Sequence, residues 1–190
     1  MRATIVLAAA AFALSACQSA EEKRAAETGE IEVTNAPADQ VARLIKAAAP
    51  KTAVKPGLWK ATLAIEAVDV GPGADNAKQL DLAKRLARNA TECRTAEQLK
   101  PFDISKLEQA AGKCTFIRYV AKGGKVDAKI QCTKPNAPAT AIQISGTTAA
   151  TGFDVTTENV TGAAGQPGYS LVRMRSTGTR VGECAAKGQG

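Results

Sequence analysis

The chain has 190 residues, with 25 Lys and Arg against 18 Asp and Glu, no histidine, and a formal net charge of +7. That length suits one domain of ordinary size with an N-terminal extension. The missing histidine excludes Ser-His and Cys-His nucleophile systems and every histidine metal site, and no basic motif is interleaved with aromatics, which argues against nucleic acid as a partner.

Arg2 supplies a short positive n-region, and residues 3–14 form an apolar run too short to span a bilayer. The run ends in Leu14-Ser15-Ala16-Cys17, which resembles a bacterial lipobox. In that motif the leader is cut before the cysteine, whose sulfur takes a diacylglyceryl group; the competing reading is an ordinary signal peptide cut near Ala16. Several acyl chains (palmitate and its like) on Cys17 exceed what stable anchoring needs. Gln18, where Gram-negative lipoproteins kept in the inner membrane carry Asp, implies by that resemblance the periplasmic face of the outer membrane. Loss of Arg2 with the leader lowers the net charge from +7 to +6. Such a balance suits an anionic surface or a periplasmic protein as partner, and equally a basic domain with neither.

Residues 17–36 are charged and poor in large apolar side chains, and read as a lipidated, flexible tether. Residues 37–54 read as an amphipathic helix and linker. Pro37 suits its first turn, Asp39 its N-terminal dipole, Val41, Leu44, Ile45 and Ala48 share one face, and Pro50 stops it. The domain proper is expected over 55–184, with a frayed tail at 185–190. From Trp59 the odd positions Trp59, Ala61, Leu63, Ile65 and Ala67 are apolar, the signature of a half-buried strand. The single tryptophan, Trp59, is most simply a core anchor; ligand contact is the sharper alternative.

After Gly71-Pro72-Gly73, residues 74–88 have helical character. Leu80, Ala83, Leu86 and Ala87 are expected inward, Asn89 as C-cap, and Lys78, Lys84, Arg85 and Arg88 as a basic surface able to face anionic lipid, or else a solvated helix face. Thr95-x-x-Gln98 and Ser105-x-x-Glu108 resemble capping boxes opening short helices.

With Cys17 set aside, Cys93, Cys114, Cys132 and Cys184 form an even set in an oxidising compartment. Two strand-like runs fold about Lys122-Gly123-Gly124, and symmetry about Gly123 sets Cys114 opposite Cys132. Pairing those two leaves Cys93 for Cys184. Zinc is the competing use of four cysteines, but there is no C-x-x-C pair and no histidine, so no metal site and no cofactor is expected. In the symmetric register Phe116 opposes Ile130 and Val120 opposes Val126, yet Arg118 falls opposite Ala128 on the apolar side. Either that face lines a hydrated cavity or the register is off by one, since a buried charge needs a partner.

Strands follow over residues 139–147, 153–160 and 169–181, with Ile142, Ile144, Phe153, Val155, Val172 and Met174 inward and Arg173 and Arg175 outward. The many threonines at outward positions suit a wet sheet face. The fold class is mainly β with minor α: an antiparallel meander, curved into a half-barrel or barrel, carrying N-terminal and inserted helices and two disulfides.

The signal peptide, Pro56-Gly57-Leu58-Trp59, Cys93 with its short helix, the Cys114/Cys132 hairpin and Arg180-Val181-Gly182-Glu183-Cys184 together resemble the bacterial exported domain-of-unknown-function family 3617, over about residues 55 to 184. The resemblance implies location and architecture but no activity. Members associated with this pattern carry a Met- and Pro-rich segment between the first strand and first cysteine; here residues 74–88 are helical and basic instead.

Three function classes follow. Catalysis has only carboxylates to work with, Asp154 and Glu158 on one strand face and Glu92 and Asp103 near the first helix, none in an apolar setting that would raise its pKa; no enzyme is expected. A binder of a small apolar ligand or lipid would use Trp59, Leu63, Phe116, Ile130, Ile142 and Phe153 as walls. An envelope interaction domain, the favoured expectation, would present a sheet edge or apolar patch to a protein or anionic polymer.

Overall fold

A computed structural model describes residues 18–99 and 104–185. The leader, Cys17, Asp103 and the last five residues lie outside them, and with them the expected lipidation and most of the expected frayed tail. Among the described residues the order is α1 (Ala20–Thr28), β1 (Ile31–Pro37), α2 (Ala38–Thr52), β2 (Gly57–Asp69), α3 (Asn76–Lys84), β3 (Arg88–Arg94), α4 (Ile104–Ala111), β4 (Lys113–Lys122), β5 (Lys125–Thr133), β6 (Thr140–Ala149), β7 (Gly152–Thr161) and β8 (Ser170–Gly182). All eight strands form one antiparallel sheet in the order β1-β4-β5-β6-β7-β8-β2-β3. From β4 to β8 it is a meander; β2 then pairs with β8, and β1 and β3 are its two edges. The sheet is curved and stays open.

The expected tether is a helix and a strand. Ser19 and Glu22 close a capping box on α1, and Gly29 ends it in the left-handed conformation at φ 76°. A nine-residue helix has little stability of its own in water. What holds it is tertiary: Ala25 is buried with Leu44 and Ala48 of α2, and β1 lies along β4, Ile31 opposite Ala121 and Ala36 opposite Phe116. Low hydrophobicity read as disorder because, Ile31 and Val33 apart, small alanines make these contacts. α2 buries Val41, Leu44 and Ala48 as expected, but Pro50 does not stop it. Pro50 sits in the last turn, where a missing N–H costs one bond near an end that has few left to make. Pro37 is the N-cap of α2 rather than its first turn.

The expected helix over 74–88 ends at Lys84, and Arg88 already belongs to β3. β3 reads Arg-Asn-Ala-Thr-Glu-Cys-Arg and is largely exposed, so it has no alternation to betray it. It is a strand because the edge of β2 is free to pair and the Cys93–Cys184 disulfide holds it there. Asn89 is accordingly no C-cap: its side-chain oxygen accepts from the Thr62 hydroxyl at 2.8 Å. Thr95 and Gln98 do bond reciprocally, but about a single turn. Ser105 and Glu108 both lie within α4, and Glu108 accepts from the backbone N–H of Cys114 at 3.1 Å.

The β4–β5 hairpin explains Arg118. Its turn is the two residues Gly123-Gly124, both with positive φ (57° and 75°), a geometry that twists with the strands and that glycine alone adopts without strain. That centre lies half a residue beyond Gly123, so holding Cys114 opposite Cys132 needs one extra residue on β4, and a bulge at Ile117 supplies it. Phe116 still opposes Ile130, but beyond the bulge Arg118 faces Lys129, Tyr119 faces Ala128 and Val120 faces Asp127. Arg118 is exposed and pairs with Asp127 at 3.0 Å. The register is off by one, and Arg118 stands exposed rather than on the apolar face. A second shift, between Ile65 and Ala67, takes Ala67 off the apolar stripe of β2.

Helices α2 and α4 lie on one face of the sheet, over β4, β5 and β6. There Val41 and Ile104 pack on Phe116, Ala128, Ile130, Ile142 and the Cys114–Cys132 pair. The opposite face is polar: Arg173 pairs with Glu158, Arg175 with Asp154 at 2.6 Å, and Gln143, Ser145 and Thr156 stand among them. It is the wet face that the threonine pattern implied.

Candidate functional site

The six expected wall residues separate into core and wall. Phe116, Ile130 and Ile142 are 3%, 3% and 7% exposed and fill the core under α2 and α4. Trp59 is fully buried, donates its indole N–H to the Lys55 carbonyl at 3.1 Å, and stacks on Phe153 with ring centroids 6.0 Å apart. It is a core anchor. Only Leu63 and Phe153 border open space.

That space is a trough on the helix-bearing face where α2 no longer reaches. With a volume of about 850 Å³, it runs over β7, β8, β2 and β3, with Ala61, Leu63, Phe153 and Val155 as floor. The register puts them on one face: Phe153 and Ala61 both oppose Gly178, and Val155 and Leu63 both oppose Ser176. Gly178 is bare so that the Phe153 ring can lie over it; a Cβ there would collide with the ring. Arg88, Glu92 and Arg94 of β3 form one side. Arg94 pairs with Glu92 at 2.9 Å, while among the described residues Arg88 makes no ion pair.

A narrower cavity of about 370 Å³ lies under the C-terminal half of α2, lined mainly by Ile31, Ile45, Ala48, Tyr119, Ala121 and Val126. Burial pushes the Tyr119 phenol above its usual pKa, so this wall stays neutral. Val54 and Thr148 border both spaces, which makes them neighbours on a single apolar face. Sequence reasoning missed Tyr119 because the Ile117 bulge is invisible in the pattern. It missed Ile31 and Ile45 as walls because their segment read as tether and helix rather than as a cover.

The expected basic surface is also divided. Lys78 and Lys84 are on α3, Arg85 pairs with Asp81 at 3.0 Å, and Arg88 turns to the trough. Of the carboxylates, Asp154 and Glu158 do share one strand face, each engaged by an arginine. The Arg175 guanidinium bonded to Asp154 holds its carboxyl below the usual range. Among the described residues no cluster of acids and cysteines has the grouping to hold a metal ion, and no helix is long and apolar enough to cross a membrane. Both disulfides pair as the hairpin geometry implies: Cys114–Cys132 with Cα atoms 4.1 Å apart, and Cys93–Cys184 at 5.4 Å.

Residues 54–184 match the family described as protein of unknown function, DUF3617. The chain belongs to that family. No curated protein and no solved structure matches it. The family match opens at Val54, just after α2 ends, so it takes in β2 to β8 with both disulfides. The α1–β1–α2 segment, which adds an edge strand and covers Phe116, Ile130 and Ile142 on the apolar face, precedes it.

Proposed function

We propose that this protein binds a small apolar molecule or lipid on the helix-bearing face of its sheet. One observation carries the reading: beside the core packed around Phe116, Ile130 and Ile142, the same face keeps an uncovered trough floored by Leu63, Phe153 and Val155. A closed core would have filled that space. The reading is non-catalytic and needs no cofactor, with the acids of the opposite face bound up with Arg173 and Arg175. The Leu14-Ser15-Ala16-Cys17 motif supports a lipid anchor, and Gln18 after it, by resemblance to Gram-negative lipoproteins, supports a place on the periplasmic face of the outer membrane.

Native mass spectrometry of protein purified gently from an envelope extract tests the first statement, together with titration by the neutral dye N-phenyl-1-naphthylamine. A reproducible added mass lost on denaturation is expected, with dye fluorescence that Leu63→Glu abolishes. A clean apo mass with no dye response overturns the reading. It would favour a second one, an envelope interaction domain, for which β3 speaks: among the described residues that strand pairs with β2 on one side and with no strand on the other.

A further inference from the structure

Four large hydrophobic side chains stand exposed among the described residues: Val70, Leu82, Leu86 and Val181. Three of them belong to one excursion, the stretch between β2 and β3 that contains α3. Leu86 is 68% exposed and Leu82 45%. α3 contributes no buried residue to any core. Its half-buried positions Asn76, Leu80 and Ala83 recur at helical spacing and mark the side packed on β2. Leu82 therefore points away from the protein, with Lys78 and Arg85 as its neighbours one turn before and after. The acids of the stretch are engaged: Asp75 caps the Lys78 N–H at 3.0 Å and Asp81 pairs with Arg85. Among the described residues Lys78 and Lys84 make no ion pair.

The excursion also has a defined place. β2 ends opposite the start of β8, Asp69 facing Leu171, and the antiparallel order makes this the rim where β1 ends and α2 begins. α1 runs in the direction of α2, since Glu22 meets Arg43 at 3.0 Å and Gly29 abuts Lys51 and Thr52. Its N-terminal end, at Ser19, thus points to the same rim.

We propose that the Val70-to-Leu86 excursion docks the protein on an anionic phospholipid surface. Leu82 and Leu86 enter the headgroup boundary, and Lys78 and Lys84 meet the phosphates. Exposed leucines ringed by cations gain from both terms at such an interface, and long basic side chains keep their charge at phosphate level while their stems follow the leucines down. This surface is separate from the trough, so the inference stands or falls apart from ligand binding.

The test uses the chain from Gln18, which holds the whole described fold and no acyl chain, sedimented with vesicles. Binding to phosphatidylglycerol–phosphatidylethanolamine vesicles is expected to exceed binding to phosphatidylcholine alone by roughly tenfold, and to weaken with salt. Leu82→Ser with Leu86→Ser should cost about tenfold at unchanged circular dichroism and unfolding midpoint, because neither residue is in a core. Lys78→Gln with Lys84→Gln should flatten the salt dependence. Equal binding to both vesicle types, or a leucine double variant that binds like the parent, overturns the proposal. Retention on heparin without vesicle binding also overturns it, in favour of a soluble polyanion.

Discussion

Single residues decide what the apolar face can be. At Gly178 the absence of a side chain lets Phe153 lie flat against the sheet and stack on Trp59. Gly178→Ala would push that ring off its seat, an overpacking cost of about 1–3 kcal/mol. The urea midpoint should fall accordingly, and Phe153→Leu in the same chain should restore much of the loss. Asp154 shows the electrostatic counterpart on the wet face. Its carboxyl is held below the usual carboxylate range, first by the hydrogen bond from Arg175. A depressed folded-state pKa contributes stability above the unfolded value, and that contribution is lost as pH falls through the folded one. Asp154→Asn should therefore be less stable than the parent at neutral pH, with the difference closing as acid takes the pH down through the folded pKa; urea titrations of both proteins at falling pH would show it. The effect should be small, since both side chains are about half exposed. Arg118 marks what one residue can and cannot reveal. Its charge on an apolar stripe correctly announced a fault in the register, but not that Ile117 was the cause, because a bulge is fixed by the turn and the partner strand together.

Among the elements, those legible in the sequence were the ones whose periodicity is their own. β2 and β4 to β8 alternate, and α2 carries a stripe of large apolar residues. β3 and α1 have no such pattern and β1 alternates only from Ile31 to Thr34; these three exist because a neighbour offers an edge or a groove. That difference coincides with the family boundary. α1, β1 and α2 precede the matched residues 54–184, yet α2 covers Phe116, Ile130 and Ile142. A chain beginning at Val54 should thus expose that patch and the bare edge of β4. Strong anilinonaphthalene sulfonate fluorescence, a lower melting temperature and association at raised concentration are expected, by fluorimetry, calorimetry and light scattering. A chain as monomeric and dye-free as the parent would show that β2 to β8 close on themselves without a cover.

For the whole molecule, the two disulfides do different work. Cys114–Cys132 spans 18 residues within one hairpin, already in register beneath the helices. Cys93–Cys184 spans 91 residues and ties the edge strand β3 to the end of β8, where Arg180 also grips the Pro56 carbonyl at 2.7 Å. By loop entropy the first is worth about 3 kcal/mol and the second about 4–5 kcal/mol. Only the second holds a wall of the trough, because Arg88, Glu92 and Arg94 all lie on β3. Stability and binding should therefore separate. Cys114→Ser with Cys132→Ser is expected to lower the unfolding midpoint and leave the affinity for N-phenyl-1-naphthylamine nearly unchanged at temperatures where the fold survives. Cys93→Ser with Cys184→Ser should lower both, since a β3 free to fray no longer shapes the trough. If both double variants bind the dye like the parent, the dye sits elsewhere, and the cavity beneath α2, bounded by Ile45 and Tyr119, becomes the place to probe by substitution.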